Sequence, residues 1–184
     1  ALANGFLISE MTRLQHEYLG NNPNASRGIV FFNSRTTLHD MAVEARQDFN
    51  VFSYHGIGGG DGHTEYAAEK QERRAIMSAF VTTTDTDPRS KWLFSTSAGG
   101  TGIDLKGIRV VIVYEWCYGQ LELCQMFGRC RAPADASIPC LGLILTSPAA
   151  IAQFEARIEE DGRAPLQRHD SPEDMQLRQA SMKA

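Results

Sequence analysis

Apolar and polar positions follow two alternating periods along the chain, and each period predicts a different element. Over residues 7–19 apolar side chains recur every three or four positions, which is typical of a helix with one buried face. The run GIVFF at 28–32 is apolar throughout and predicts a buried strand, and helical spacing returns at 37–48. A strand, a turn and a helix therefore form the first unit of the chain.

The same unit repeats towards the C-terminus. Further strands are predicted at 50–54, 91–96, 109–114 and 140–146, with helices at 66–81, 120–129 and 148–159. Wholly apolar strands that alternate with helices indicate a parallel sheet covered on both faces. We therefore predict an α/β fold, a three-layer α/β/α sandwich with a mainly parallel sheet. The glycine-rich run at 56–63 does not match G-x-G-x-x-G and is interpreted as a connector.

Composition sets limits on organisation and partners. With 184 residues, the chain can bury roughly 70% of its unfolded surface around one core, which we place at 27–160. Residues 1–26 are interpreted as an N-terminal helix and connector, and 161–184 as a polar tail with the composition of a disordered segment. Because the net charge is -4, binding of nucleic acid would need a local basic patch. The absent initial Met suggests a piece of a longer protein.

Location and cysteine chemistry follow from what the sequence lacks. No run approaches 18 apolar residues and no signal peptide begins the chain, so we expect an intracellular protein without a membrane segment. The four cysteines lack the paired spacing of zinc ligands, and we expect reduced thiols, no metal and no disulfide framework.

Two stretches carry candidate chemistry. In QMFGRCRAP at 125–133, two arginines stand two positions apart with no carboxylate closer than Glu122 or Asp135, so their negative partner must come from elsewhere. A helix continued through residue 129 would put Gln125 and Arg129 on one face. The run SAGGTGIDLKG at 97–107 follows a strand and lets backbone approach a ligand closely. We look for ligands at the carboxyl ends of the strands, where open parallel sheets bind them.

These stretches together resemble a known family. The string FSTSAGGTGID followed by KGIRVVIVYEWCYGQLELCQMFGRCRA is similar to motifs V and VI of superfamily 2 helicases, most closely the RecQ-like group. RGIVFFNSRTTLHDMA resembles motif IV, and VFSYHG followed by ERRAIMSAF resembles the next family motif. The resemblance implies the second RecA-like lobe of an ATP-dependent DNA helicase, a nuclear protein if the source is eukaryotic. It also implies two partners, DNA and the first RecA-like lobe of the same parent protein.

The resemblance also implies roles for individual residues. ATP and Mg²⁺ would be bound mainly by the first lobe, and this chain would face the phosphates with Gln125, Arg129 and Arg131. Near the nucleotide it would place Gly102 and Asp104. The nucleic-acid backbone would be contacted by Ser34, Arg35, Thr96 and Ser97.

The sequence departs from the family pattern in two ways. Motif VI usually reads Q-x-x-G-R-x-G-R, with its arginines three positions apart instead of two; on a continued helix Arg131 would point about 200° away from Arg129. Pro133 is expected to end that helix and let Arg131 turn back. The chain also contains no G-x-x-x-x-G-K-[ST] motif, so we expect no ATP hydrolysis by the chain alone. An RNA helicase lobe and a non-catalytic interaction module remain the alternatives.

Overall fold

A computed structural model describes residues 4–19, 27–55, 63–82, 91–96, 105, 107–115, 120–131 and 139–163. Its helices are α1 (Asn4–Leu14), a short π-helix (Gln15–Leu19), α2 (Arg35–Ala45), α3 (His63–Val81), α4 (Gln120–Phe127) and α5 (Pro148–Arg163). Its strands are β1 (Arg27–Phe32), β2 (Asn50–Tyr54), β3 (Lys91–Ser95), β4 (Ile108–Tyr114) and β5 (Leu141–Leu145). The strand and helix alternation predicted from the sequence is confirmed.

The strands form one parallel sheet in the order β2-β3-β1-β4-β5. The three central strands, β3, β1 and β4, are buried along their whole length, whereas the outer strands β2 and β5 are only partly buried. The strands that have a neighbour on each side are therefore the fully buried ones, as expected for a sheet covered on both faces.

Helices cover both faces of the sheet. On one face α1 and α2 bury Leu7, Met11 and Leu38 against a cluster that includes Trp92. On the other face α3 and α4 contribute Phe80 and Met126 to a second cluster. The predicted three-layer sandwich is confirmed.

Gly28 of β1 packs against Trp92 of β3, and the two residues are paired in register. A Cβ atom at Gly28 would lie 2.3 Å from the indole ring of Trp92, so only glycine leaves room for this ring. Phe49 makes an edge-to-face contact with the same indole at 6.1 Å between ring centroids. The register of the two strands and the position of the largest buried side chain are thus fixed together.

The end of α4 differs from the prediction. The helix was expected to run to residue 129, but it ends at Phe127. The amide of Gly128 closes the last α-helical bond, to the Cys124 carbonyl at 2.9 Å. The next two amides reach only three residues back, Arg129 to Met126 and Cys130 to Phe127, which tightens the chain into a turn. Arg129 therefore lies in a turn. The prediction that it shares a helical face with Gln125 is wrong.

Within the described ranges, no helix is long and apolar enough to span a bilayer.

Candidate functional site

The residues predicted for function lie at opposite ends of the parallel strands. We call the end at which the strands begin the amino rim, marked by Arg27, Lys91 and Ile108, and the end at which they stop the carboxyl rim, marked by Ser34 and Thr96. Since β4 has seven residues, the rims are about 20 Å apart. Ser34, Arg35 and Thr96 lie at the carboxyl rim, where the sequence analysis looked for ligands, whereas Arg129 and Arg131 lie at the amino rim.

At the carboxyl rim, Ser34 and Arg35 connect β1 to α2. Ser34 is the N-cap of α2: its backbone is extended and its side-chain oxygen accepts from the Thr37 amide at 3.4 Å. This cap explains why α2 begins two residues before the predicted start. A hydroxyl that accepts one bond still has a hydrogen to donate, and the side chain of Arg35 is exposed beside it.

Thr96 is held at the same rim through the backbone. Its amide donates to the Tyr54 carbonyl at 3.2 Å, which joins the end of β3 to the end of β2. Arg73 of α3 in turn holds Tyr54, because its guanidinium donates to the phenol oxygen and lies 4.4 Å from the ring centroid. Thr96 is thus placed by two strands and one helix.

Beneath these polar residues lies an aromatic floor formed by Phe32, Phe94 and Tyr114. The ring centroid of Phe32 is 5.0 Å from that of Phe94 and 5.5 Å from that of Tyr114. Burial raises the pKa of Tyr114, and the charges of Glu115 and Glu44 add to the effect. Packed rings near the ends of three adjacent strands give the carboxyl rim a rigid base.

Sequence reasoning missed a histidine pair at this rim. His39 of α2 and His55 after β2 make an edge-to-face contact, with ring centroids 5.3 Å apart. His39 is exposed and His55 half-buried. His55 directly follows β2, but His39 lies inside α2, so no signal in the sequence showed that the two rings meet.

The amino rim is organised by Gly107. Its carbonyl accepts from the Arg27 amide at 3.0 Å, and its own amide donates to the Arg131 carbonyl at 3.2 Å. Its φ of 77° lies in the left-handed region, which glycine adopts without strain. Arg131 completes the pair by donating its amide to the Ile108 carbonyl at 2.9 Å, forming a one-residue antiparallel bridge. The chain after α4 is therefore hydrogen-bonded to the start of β4.

These backbone hydrogen bonds determine where the motif VI side chains lie. Arg131 is exposed, Arg129 is half-buried and Gln125 is exposed on the last turn of α4. The turn at Gly128 and the bridge at Ile108 now control the direction of both arginines, so the 200° helical rotation does not apply. Pro133 was expected to end the helix, but the helix ends six residues before it.

Two buried cations at the amino rim were missed from the sequence. Lys91 is fully buried and donates to the carbonyls of Thr82 at 2.7 Å and Ala79 at 3.4 Å. Arg27 is 5% exposed and donates to the Val81 carbonyl at 3.0 Å; desolvation lowers its pKa. Both meet the last turn of α3, where the helix dipole favours positive charge. The signal was a basic residue directly before each apolar strand.

The remaining predicted site residues, Gly102, Asp104 and Ser97, lie outside the described residues, as does most of the glycine-rich connector at 56–63. Among the residues that are described, no group of three or more His, Cys, Asp or Glu side chains could hold a metal ion.

The family of the chain follows from its sequence match. Residues 9–132 match the family of the helicase conserved C-terminal domain, and the chain belongs to this family. No curated protein matches the sequence well enough to count as a relative.

Solved structures share the fold. The C-terminal domain of S. cerevisiae Dbp5 is 17% identical with a TM-score of 0.51, covering 98% of this chain and 94% of that one. T. fusca Cas3 is 16% identical with a TM-score of 0.55, covering 97% of this chain but 22% of its own. The E. coli DEAD-box protein SrmB is 18% identical with a TM-score of 0.50, covering 91% and 83%. The matched helicases are not specifically RecQ-like, so the family stands and the RecQ-like subgroup does not follow from it.

Proposed function

We propose that this chain is the second motor lobe of an ATP-dependent DNA helicase of the RecQ-like type. The observation that carries the proposal is the separation of the two sets of motif residues onto opposite rims of one sheet. A lobe that couples nucleotide hydrolysis to movement along a strand must contact the nucleotide and the nucleic acid at different places. The family match supports the helicase class, while DNA as the substrate rests on the RecQ-like motifs alone.

The amino rim fits a polyphosphate. Arg129 and Arg131 present guanidinium groups from a segment whose backbone is fixed by the Gly107 and Ile108 hydrogen bonds. Fixed donors stabilise charge that develops on a transferred phosphoryl group, because they need no reorganisation as the charge appears. In this proposal the first lobe supplies most contacts to ATP and Mg²⁺, Gln125 and the two arginines approach the phosphates from the opposite wall, and Gly102 and Asp104 lie beside the nucleotide.

The carboxyl rim fits a sugar-phosphate backbone. Ser34 and Thr96 offer short neutral donors, and Arg35 adds one cation. Ser97, which follows Thr96 in the chain, is proposed as a further contact from the motif resemblance. Such contacts position a strand without reading its bases, and indifference to sequence is what translocation requires.

The test is ATP turnover by this chain joined to a first RecA-like lobe that carries a Walker A motif. Arg129→Ala should lower kcat by about 10³-fold, the lower range for an arginine that faces the transferred phosphate. Arg13→Ala is the matched control, because Arg13 pairs with Glu10 and Glu17 on the surface of α1. Equal kcat values for Arg129→Ala and Arg13→Ala would contradict the proposed role of the amino rim. Turnover by the chain alone would show that the site is complete without a first lobe.

An RNA helicase lobe is the second candidate, because the matched structures include a DEAD-box protein. Stimulation of turnover by single-stranded DNA and by RNA of equal length separates the two. A non-catalytic interaction module would give no turnover with either strand.

A further inference from the structure

Two cysteines flank the segment that follows motif VI. The Cys130 thiol donates to the Leu141 carbonyl at 3.4 Å, across to the start of β5. The Cys140 thiol donates to the Ile108 carbonyl at 3.5 Å. Because the Arg131 amide also donates to the Ile108 carbonyl, at 2.9 Å, both cysteines approach the same point of the amino rim from opposite ends of one segment.

The hydrogen bonds place the two thiols side by side. The carbonyl that accepts from Cys130 belongs to Leu141, the residue after Cys140, and the carbonyl that accepts from Cys140 also accepts from the amide of Arg131, the residue after Cys130. Both side chains are half-buried, so an oxidant of small size can reach the pair. Cys124, on α4, is exposed and is free like the other two. The three cysteines in the described ranges are therefore one neighbouring pair and one exposed thiol.

We propose that Cys130 and Cys140 form an oxidisable dithiol site, which hydrogen peroxide converts into a disulfide. In the first step one thiol sulfur attacks the O–O bond, an S–O bond forms, and water leaves. In the second step the other sulfur attacks the sulfenic acid, the S–S bond forms, the S–O bond breaks, and a second water leaves. The two thiols lose two electrons and two protons, and the peroxide takes them up as water.

Burial assigns the two steps to different cysteines. Desolvation, with a smaller contribution from Cys140, raises the pKa of the Cys130 thiol to about 12. Cys130 is therefore protonated at neutral pH and a poor initial nucleophile, since the thiolate is the reactive form. Cys140 takes the first step, and Cys130 resolves the sulfenic acid.

The disulfide would restrain the arginines between and beside it. It would connect residue 130, which lies between Arg129 and Arg131, to residue 140 at the start of β5. The segment would then be held by a covalent bond in addition to the hydrogen bonds at Gly107 and Ile108. Any effect on ATP turnover rests on the proposed function, whereas formation of the bond does not.

The bond can be mapped directly in the chain itself. The chain is treated with hydrogen peroxide under native conditions, remaining thiols are alkylated, and tryptic peptides are analysed by mass spectrometry. Cleavage after Arg129, Arg131 and Arg157 puts the two cysteines in separate peptides, residues 130–131 and 132–157. The expected product is these two peptides joined, with the loss of two hydrogens, and released by dithiothreitol.

Single variants provide the controls. Cys130→Ser and Cys140→Ser should each abolish the linked product, while Cys124→Ser should form it at the wild-type rate. In the wild type, the 130–140 bond should form about tenfold faster than any disulfide that contains Cys124 or Cys117. If Cys130 and Cys140 are instead recovered alkylated or as sulfinic acids, or if another disulfide dominates, the proposal is overturned. Mapping of the wild type decides this even if a variant fails to fold.

A second measurement tests whether the disulfide changes ATP turnover. In the two-lobed protein, peroxide should change kcat of the wild type at least about twofold, reversibly, and leave Cys130→Ser unchanged. If the disulfide forms without a change in kcat while Arg129→Ala still abolishes turnover, the dithiol site stands and its influence on the arginines is refuted.

Discussion

The two rims of the sheet differ in how they hold positive charge. At the amino rim Arg27 and Lys91 are buried and donate to carbonyls of α3, so their charges serve the fold. At the carboxyl rim Arg35 is exposed, and the polar groups around it stand on a floor of packed aromatic rings. Substitutions at the amino rim should therefore lower stability, and substitutions at the carboxyl rim should lower binding.

Arg129 and Arg131 refine this comparison, because they belong to the amino rim without being buried as Arg27 and Lys91 are. The backbone of Arg131 is bonded to the sheet through Gly107 and Ile108, and Arg129 lies two residues before it. A rim can thus stabilise the fold with one set of cations and present another set to a ligand. Both pairs of cations stand next to apolar runs in the sequence. They differ in how deeply their side chains are buried in the structure.

The largest effect is expected from Gly28→Ala, next to the amino rim. The added Cβ would lie 2.3 Å from the Trp92 ring, and repacking around this indole should cost about 2–3 kcal/mol of unfolding free energy. Gly5→Ala is the matched control: nothing lies within 4 Å of its Cβ position on α1, so stability should be unchanged or slightly higher. Urea denaturation measures both, and equal midpoints would mean that the strand register is loose.

Lys91→Met should be the next most damaging change. Methionine keeps most of the apolar stem but removes the ammonium that donates to Thr82 and Ala79, at a cost of about 2 kcal/mol. Lys70→Met, on the exposed part of α3, should stay within about 0.5 kcal/mol of wild type. A Lys91 variant as stable as the Lys70 variant would contradict a structural role for the buried cation.

At the carboxyl rim, substitutions of Ser34 separate stability from binding. Ser34→Ala removes the cap of α2 and should cost about 0.5–1 kcal/mol, at the low side of cap effects because the bond is 3.4 Å long. Ser34→Asp keeps a good cap and should fold like wild type, but its negative charge should weaken binding of single-stranded DNA. Thermal unfolding and oligonucleotide titration together test this; an Asp variant that binds normally would place the strand elsewhere.

The smallest effect is expected when one positive charge is removed and the affinity for single-stranded DNA is measured. Arg35→Ala should weaken binding by less than about 1 kcal/mol, roughly fivefold, and Arg129→Ala should weaken it less because it lies at the other rim. If the strand makes the two or three phosphate contacts proposed above, mostly from neutral donors, log affinity against log salt should fall with a slope no steeper than about -2. A slope near -5 in a fluorescence titration, or strong preference for one base sequence, would falsify this distribution of contacts.

The strands could be predicted from the sequence because the buried ones are apolar apart from a few residues such as Arg27 and Lys91, and all five lie within one residue of their expected positions. The end of α4 could not, because Phe127, Gly128 and Arg129 are all compatible with a helix. The bond between Arg131 and Ile108 decides where the helix stops, and it joins residues far apart in the sequence.

The rim of the motif VI candidates was predictable in principle. The motif strings single out Arg129 and Arg131, and a helix that connects two parallel strands must run back along the sheet, but the sequence analysis looked only at the carboxyl ends of the strands. The buried cations Arg27 and Lys91 were missed for a different reason. Their partners are backbone carbonyls at the C-terminal end of α3, which no side-chain pattern reveals.

The position of β1 at the centre of the sheet has a consequence for synthesis of the protein. Its two neighbours begin at residues 91 and 108, whereas the strand that follows it in the chain, β2, lies at the outer edge. At roughly 5–20 residues per second, a ribosome leaves β1 without either neighbour for several seconds. Pairing of such distant strands is slow in any case. A chain that stops at Val81 has α1, α2 and β1 but no strand to join to β1, and it should unfold in urea without a cooperative transition.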